Sequence, residues 1–371
     1  MSDLSLDAVV VGAGVVGLAV ADRLVRAGLS TVVVERHPGP GRETSSRNSE
    51  VVHAGIYYPP GSLRARLCVR GNHLLYRFCQ DHDVACRAVG KLVVAHGVAD
   101  VASLEELKRR GDENGASDLQ LVDRDDVRRL EPTIEAQAAL VSPSTGVVDS
   151  HDLIKVLEAR TRAAGGHLLY RCQVTRIDPT PNGFTIGLQN PSGEEQLDTR
   201  LVINAAGLES DRVAAMAGCP RYRLHWCKGD YFTVVGSRHR SVSHLVYPVP
   251  GQQLVGLGVH VTLDLAGRMR LGPDATYVAR DARGILEVDA TKASAFFQAA
   301  RRYLPGLRLE ELQPDMAGIR PKLQGPDDPW CDFAIAEDVP GLVNLVGIDS
   351  PGLTASLAIA EEVEGVIGKY L

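Results

Sequence analysis

Apolar and polar positions change their period several times along the chain. Asp7–Val11 is a short apolar run of the kind a buried strand needs. Gly12, Gly14 and Gly17 interrupt it, a helical period then runs from about Val15 to Ala27, and a second strand-like run follows at Thr31–Val34. That order predicts a strand–helix–strand start. Residues 99–131 are charged with a helical spacing of apolar positions, ending at Glu131-Pro132, where proline turns its predecessor away from the helical region. A second helical period covers His151–Ala164, with Leu153, Val156 and Leu157 on one side, and Gly165-Gly166 leads from it into a strand at His167–Val174.

Turn signals at Pro181-Asn182-Gly183 and Pro191-Ser192-Gly193 then separate strands at Phe184–Gln189 and Leu201–Asn204. Alternation with period two over Asp230–Val235, Leu245–Val249 and Leu254–Val261 predicts an antiparallel sheet, a different architecture from the start of the chain. The end returns to strand, turn and helix: Leu342–Gly347, then Ile348–Gly352, then a helix carrying Leu353, Leu357, Ala360, Val363 and Ile367. The expected fold is therefore α/β, or α+β overall: a discontinuous Rossmann-like dinucleotide domain over 1–85, 142–219 and 335–371, with an inserted antiparallel-sheet substrate domain over 86–141 and 220–334.

Composition narrows the class. With 371 residues, 44% hydrophobic and 23% charged, the chain is long enough for two domains and has a globular balance. A formal charge of −6 argues against a nucleic-acid binder. Seven scattered cysteines without a C-x-x-C pair exclude a zinc ribbon and a dithiol redox motif, and fit a reduced, cytosolic enzyme with no metal site. Met1–Asp7 has no basic lead-in of a signal peptide, and no uninterrupted apolar stretch reaches the length of a membrane span. The expected location is cytoplasmic, with peripheral membrane contact left open.

Gly12-Ala13-Gly14-Val15-Val16-Gly17 follows a strand and opens a helix, and Glu35 closes the second strand. This is a dinucleotide fingerprint in its proper context: Gly12 for the sharp turn, Gly14 for the approach of the pyrophosphate, Gly17 for helix–strand packing, Glu35 for the adenosine ribose. Three further features favour FAD over NAD. Glu35-Arg36 continues through a glycine-rich link to Ser45-Ser46, which reads as pyrophosphate-contacting or as an ordinary helix cap; Leu201–Gly207 runs from strand into small residues; and Gly347–Thr354 precedes a helix whose amide groups would hold the flavin pyrimidine edge. The expected FAD-contacting set is Gly12, Gly14, Gly17, Glu35, Arg36, Ser45, Ser46, Asn48, Ser49, Val174, Gly207, Gly352, Leu353 and Thr354.

The stretch Asn48–Cys68, with His53-Ala54-Gly55-Ile56-Tyr57 at its centre, together with Leu245–Pro250, Gly258-Val259-His260 and Asp349–Leu357, resembles the L-2-hydroxyglutarate dehydrogenase/oxidase branch of the D-amino-acid-oxidase-like FAD oxidoreductases. The resemblance covers nearly the whole chain. It implies an FAD domain, an antiparallel substrate domain and oxidation of a 2-hydroxy acid to a 2-oxo acid. The chain departs from that branch at Ser46-Arg47-Asn48-Ser49-Glu50 and at Gly272-Pro273-Asp274-Ala275, where the branch would have an asparagine in place of Asp274.

Oxidising an alcohol beside a carboxylate needs a base for the hydroxyl proton and a clamp for the carboxylate. His53 and His260 are the candidate bases, and Arg320 in Gly318-Ile319-Arg320-Pro321-Lys322 is the candidate fork for the carboxylate. Tyr247 and Tyr57 are candidate hydroxyl donors, and Lys228 is read as a solvated lysine. The expected partners are a small 2-hydroxy acid and an electron acceptor, quinone or dioxygen. The rival reading is amino-acid or secondary-amine oxidation on the same scaffold. A non-catalytic flavin-binding protein is the alternative from another class. A disulfide reductase would need a second fingerprint, and Gly256-Leu257-Gly258 has Val261 where the third glycine belongs.

Overall fold

A computed structural model describes residues 6–250, 258–282 and 284–371. The chain divides into two compact units: residues 1–46, 150–226 and 320–371 form the first, and residues 47–149 and 227–319 the second.

In the first unit Leu6–Val11 lies between Thr31–Val34 and Gly193–Asn204, parallel to both, and Thr31–Val34 also pairs in parallel with His167–Leu169. Leu342–Val346 adds in parallel to the end of Gly193–Asn204, with Ala334–Val339 antiparallel beyond it. An antiparallel meander of Gln173–Thr180, Gly183–Asn190 and the start of Gly193–Asn204 completes the sheet. Strands covered on both faces need no polar alternation, and Ala8, Val9, Val10, Val33, Val202 and Ile203 are fully buried. The helix Val15–Arg26 packs on Gly352–Ile367 and on Ser150–Ala163. Ion pairs Arg23–Glu364 and Arg160–Asp22 tie it to each.

The expected single strand His167–Val174 is two. His167–Leu169 ends at Tyr170, Arg171 takes a positive φ of 55°, and Gln173–Thr180 starts in the meander. The break is held from outside, because the amides of Arg171 and Cys172 donate to the carbonyls of His37 and Glu35. Val174 is thereby committed to the hydrophobic core of this unit, against Ile177, Phe184 and Ile186.

The second unit holds a mixed sheet built from His225–Val234, Leu245–Pro248, Val261–Leu263, Met269–Leu271, Lys91–Ala95, Ala138–Ser142 and Gln120–Asp123, with further edge strands. Among these seven strands the pairings are antiparallel except that Leu245–Pro248 runs parallel to Lys91–Ala95. Residues 251–257, including the first half of the run read as Leu254–Val261 and the Gly256 of the rejected fingerprint, lie outside the described residues. The charged stretch 99–131 is not one helix. Val98–Asn114 ends at Gly115, which is left-handed at φ 84°, and the strand Gln120–Asp123 intervenes before Arg124–Leu130.

Residues 47–85, expected with the dinucleotide domain, belong to the second unit. Val51–Val52 pairs with Gly146–Val148, which also pairs with Cys86–Arg87, and the helix Leu63–Asp81 packs on Val98–Asn114. Asn48, Ser49 and His53 are therefore in the second unit, while Arg320, within the strand Leu312–Lys322, opens the last segment of the first. None of the seven cysteines is in a disulfide. Among the described residues no helix is long and apolar enough to cross a membrane.

Candidate active site

The glycine turn of the first unit is dictated by backbone contacts. Gly12 adopts φ 104°, and a Cβ there would stand 2.6 Å from the carbonyl oxygen of Ala205. At Gly17 a Cβ would meet the carbonyl oxygen of Gly12 at 2.0 Å, so the helix lies on the turn with no room for a methyl group. Gly14 differs. Its nearest neighbour would be Ser45 Oγ at 3.1 Å, so the position is open except for one movable hydroxyl.

Gly14 is the N-cap of Val15–Arg26 and offers no capping side chain. Ser45 supplies it from thirty residues away, its Oγ accepting the Val15 amide at 3.0 Å. Ser46 instead donates to the Glu43 carbonyl within the turn Thr44–Ser46. Glu35 is buried, and its two carboxylate oxygens accept the amides of Ala13 and His37, both at 2.8 Å. Arg36 pairs with Glu43. The open approach at Gly14, the helix N-terminus behind it and a buried carboxylate beside it fit the pyrophosphate and ribose of a dinucleotide.

Two more segments lie in this unit. Gly207 takes φ 52° in the turn Gly207–Glu209, with open space where a side chain would be. Ahead of it the buried Asn204 donates to the Ser210 carbonyl and to Asn344 Oδ1, both at 2.7 Å, tying two parallel strands together. At the carboxyl end Gly347 has φ 73°, and the Gly352 amide donates to the Asp349 carbonyl. Gly352 begins the helix Gly352–Ile367 with Thr354 fully buried and Leu353 half-buried. Lys322 reaches Asp349 at 3.3 Å.

In the second unit the segment His53–Tyr58 is pinned by two asparagines. Asn72 Nδ2 donates to the carbonyls of His53 and Ser144, at 3.0 and 2.9 Å. Asn114 Nδ2 donates to those of Gly55 and Tyr58, both at 2.9 Å. Gly55 has φ 88°, and a Cβ there would strike Val69 at 2.7 Å, so the turn is tight against the helix Leu63–Asp81.

Tyr247 and His260 stack face to face, ring centres 3.7 Å apart and planes 7° from parallel. Lys91 Nζ stands over the rings of Tyr247 and Tyr57, 4.9 and 4.5 Å from their centres. Burial first, and the Lys91 charge second, push the His53 imidazole down to about 3. Burial holds the hydroxyls of Tyr57 and Tyr247 well above their ordinary value, and pushes the Cys68 thiol up to about 12. Both tyrosines and the thiol therefore stay neutral. His53 keeps partial exposure, whereas His260 is buried at 6%.

The fold thus gathers His53, Tyr57, Tyr247 and His260 in one unit, while Arg320 belongs to the other. Lys228 is not solvated: it is buried, 3.0 Å from Asp230, and donates to the Glu287 carbonyl. Asp274, one of the departures noted above, accepts the Asp230 amide and pairs with Lys292 at 2.6 Å, which gives that aspartate a structural role. Lys91 was missed. The visible signal is a lysine heading the otherwise apolar strand Lys91–Ala95.

Residues 7–364 match the family model DAO, FAD dependent oxidoreductase. The chain belongs to this family and is an FAD-dependent oxidoreductase. It is 37% identical to the mitochondrial L-2-hydroxyglutarate dehydrogenase of Arabidopsis thaliana, over 96% of this chain and 82% of that one. It is 27% identical to the L-2-hydroxyglutarate dehydrogenase of Escherichia coli K12, over 96% and 92%. Among solved structures, L-alpha-glycerophosphate oxidase from Mycoplasma pneumoniae with FAD bound superposes with a TM-score of 0.88 at 27% identity, covering 98% of this chain and 95% of that one.

Proposed function

We propose that the protein oxidises a 2-hydroxy dicarboxylic acid, L-2-hydroxyglutarate first, to the 2-oxo acid. The observation that carries this reading is the buried Lys91 ammonium group over the rings of Tyr57 and Tyr247, with His260 stacked on Tyr247 and His53 in the same unit, a site of positive charge suited to an anionic hydroxy acid. The names of the relatives support the substrate. The first unit acts as the FAD domain, with Gly12, Gly14, Gly17, Glu35, Ser45 and Gly207 at the dinucleotide and Gly352–Thr354 at the ring system; the second acts as the substrate domain. When bound, FAD supplies the acceptor for the hydride that leaves the substrate carbon.

His53 takes the hydroxyl proton. It is neutral in the unliganded protein, and an arriving carboxylate raises its basicity by opposing the Lys91 charge. His260, fixed face to face on Tyr247, orients the substrate. Arg320 holds the C1 carboxylate in a two-pronged hydrogen-bonded pair. Losing a hydrogen bond to a charged group costs about 1.5–3 kcal/mol, so Arg320→Met should raise the half-saturating substrate concentration for flavin reduction roughly 10- to 150-fold, with the limiting rate much less affected. Half-saturation unchanged in that variant would remove Arg320 from the clamp.

The acceptor that reoxidises the protein is a quinone or similar compound rather than dioxygen, and the reaction is cytoplasmic or at the adjoining membrane face. Steady-state turnover in air should yield much less peroxide than 2-oxo acid. Peroxide formed in equal amount and at the turnover rate would contradict this.

A further inference from the structure

Lys91 is 0% exposed, and among the described residues its Nζ has no hydrogen-bond acceptor. A buried ammonium group without an anionic partner is costly, and a lysine kept only for packing would be better replaced by an apolar side chain of similar volume. Its surroundings give it something to act on. The Nζ stands over the rings of Tyr57 and Tyr247, Tyr247 in turn stacks on His260, and the Lys91 charge acts on His53. Resting on the hydroxy-acid reading above, we propose that Lys91 is a positioning residue for the oxidation: its ammonium group clamps Tyr57 and Tyr247 by their ring faces, fixes the Tyr247–His260 stack, and sets a positive charge in the same cluster as His53.

The groups facing Lys91 come from four elements: His53 and Tyr57 from the pinned segment, Cys68 from the helix Leu63–Asp81, Tyr247 from its parallel neighbour strand, and His260 through the stack. Tyr57, Tyr247 and Cys68 are held neutral, so none of them cancels the charge. Burial lowers Lys91 itself to about 7, only partly opposed by Cys68. Lys91 is therefore charged on the acid side of neutrality, the range in which an imidazole of ordinary pKa, ~6.5, would be lost as a base. Above neutrality the charge fades, where the imidazole needs no help.

The test uses the FAD-loaded protein carrying ring-labelled histidine, with the His53 signal assigned by its loss in His53→Gln. In the native protein His53 should stay neutral down to about pH 5. Lys91→Met keeps the volume and removes the charge, and should move the His53 titration, and the acid limb of flavin reduction by L-2-hydroxyglutarate, upward by about one pH unit. Lys91→Arg should restore both. A packing role alone would lower stability or rate without moving either limb. His53 titrating near its ordinary value in the native protein, or an unchanged titration in Lys91→Met, would overturn the proposal. The histidine titration needs no substrate, so a failure of L-2-hydroxyglutarate to reduce the native flavin overturns the substrate reading and leaves the Lys91 result to stand or fall by itself.

Discussion

His53→Ala is expected to retain full FAD content and to lose a factor of about 10²–10⁴ in the rate at which L-2-hydroxyglutarate reduces the flavin, the usual cost of removing a positioned base. The flavin is retained because the Asn72 hydrogen bond that holds this segment goes to the His53 carbonyl and survives loss of the side chain. His260→Ala should cost less in rate and more in order. Its ring is one half of a stack with Tyr247, so its removal leaves a void against a buried tyrosine. Stopped-flow reduction of each variant, at saturating substrate and equal flavin content, separates the two. If His53→Ala reduces at the native rate, the base is not His53; if both variants do, neither histidine is.

The second large effect concerns the glycines, and here the structure separates two positions that the fingerprint treats alike. Gly14→Val is expected to leave a folded protein nearly devoid of FAD. The added Cβ meets only the movable Ser45 hydroxyl, while the branched side chain fills the approach to the helix N-terminus. Gly17→Ala is expected to damage the fold itself, because its methyl group would stand 2.0 Å from a backbone oxygen in a fully buried layer. Overpacking of this kind costs about 3 kcal/mol, which for a chain of this length is a fall in Tm of about 4 °C. Flavin absorbance after gel filtration and a thermal melt of the apoprotein distinguish them. Stoichiometric FAD in Gly14→Val would refute the pyrophosphate assignment.

The glycine turn was legible in the sequence because backbone contacts dictate it: positive φ at Gly12 and the close approach at Gly17 admit no other residue, and the flanking apolar runs place them. Glu35 was legible for the same reason of register. The split of the chain was less so. Val51–Val52 finds its partner at Gly146–Val148, nearly a hundred residues on, and a two-residue strand has no periodicity to reveal that pairing. The parallel pairing of Lys91–Ala95 with Leu245–Pro248 was hidden likewise, since alternation reports exposure and not strand direction. Burial of Lys91 and Lys228 is a tertiary result, set by tyrosines and by the Glu287 carbonyl that distant segments bring to them. Ser45 had two candidate roles in the sequence, and the fold shows the capping one, on a helix whose first amide lies thirty residues away at the glycine turn.

The reaction that separates the hydroxy-acid reading from its amine-oxidising rival is the oxidation of a 2-hydroxy acid. Anaerobic mixing of the purified, FAD-loaded protein with L-2-hydroxyglutarate or with L-glutamate, which carries an amine in place of the hydroxyl on the same skeleton, tests it most directly. The prediction is that L-2-hydroxyglutarate bleaches the flavin with one equivalent of 2-oxoglutarate formed per FAD reduced, while L-glutamate leaves the flavin oxidised. Bleaching by the amino acid and none by the hydroxy acid would contradict it.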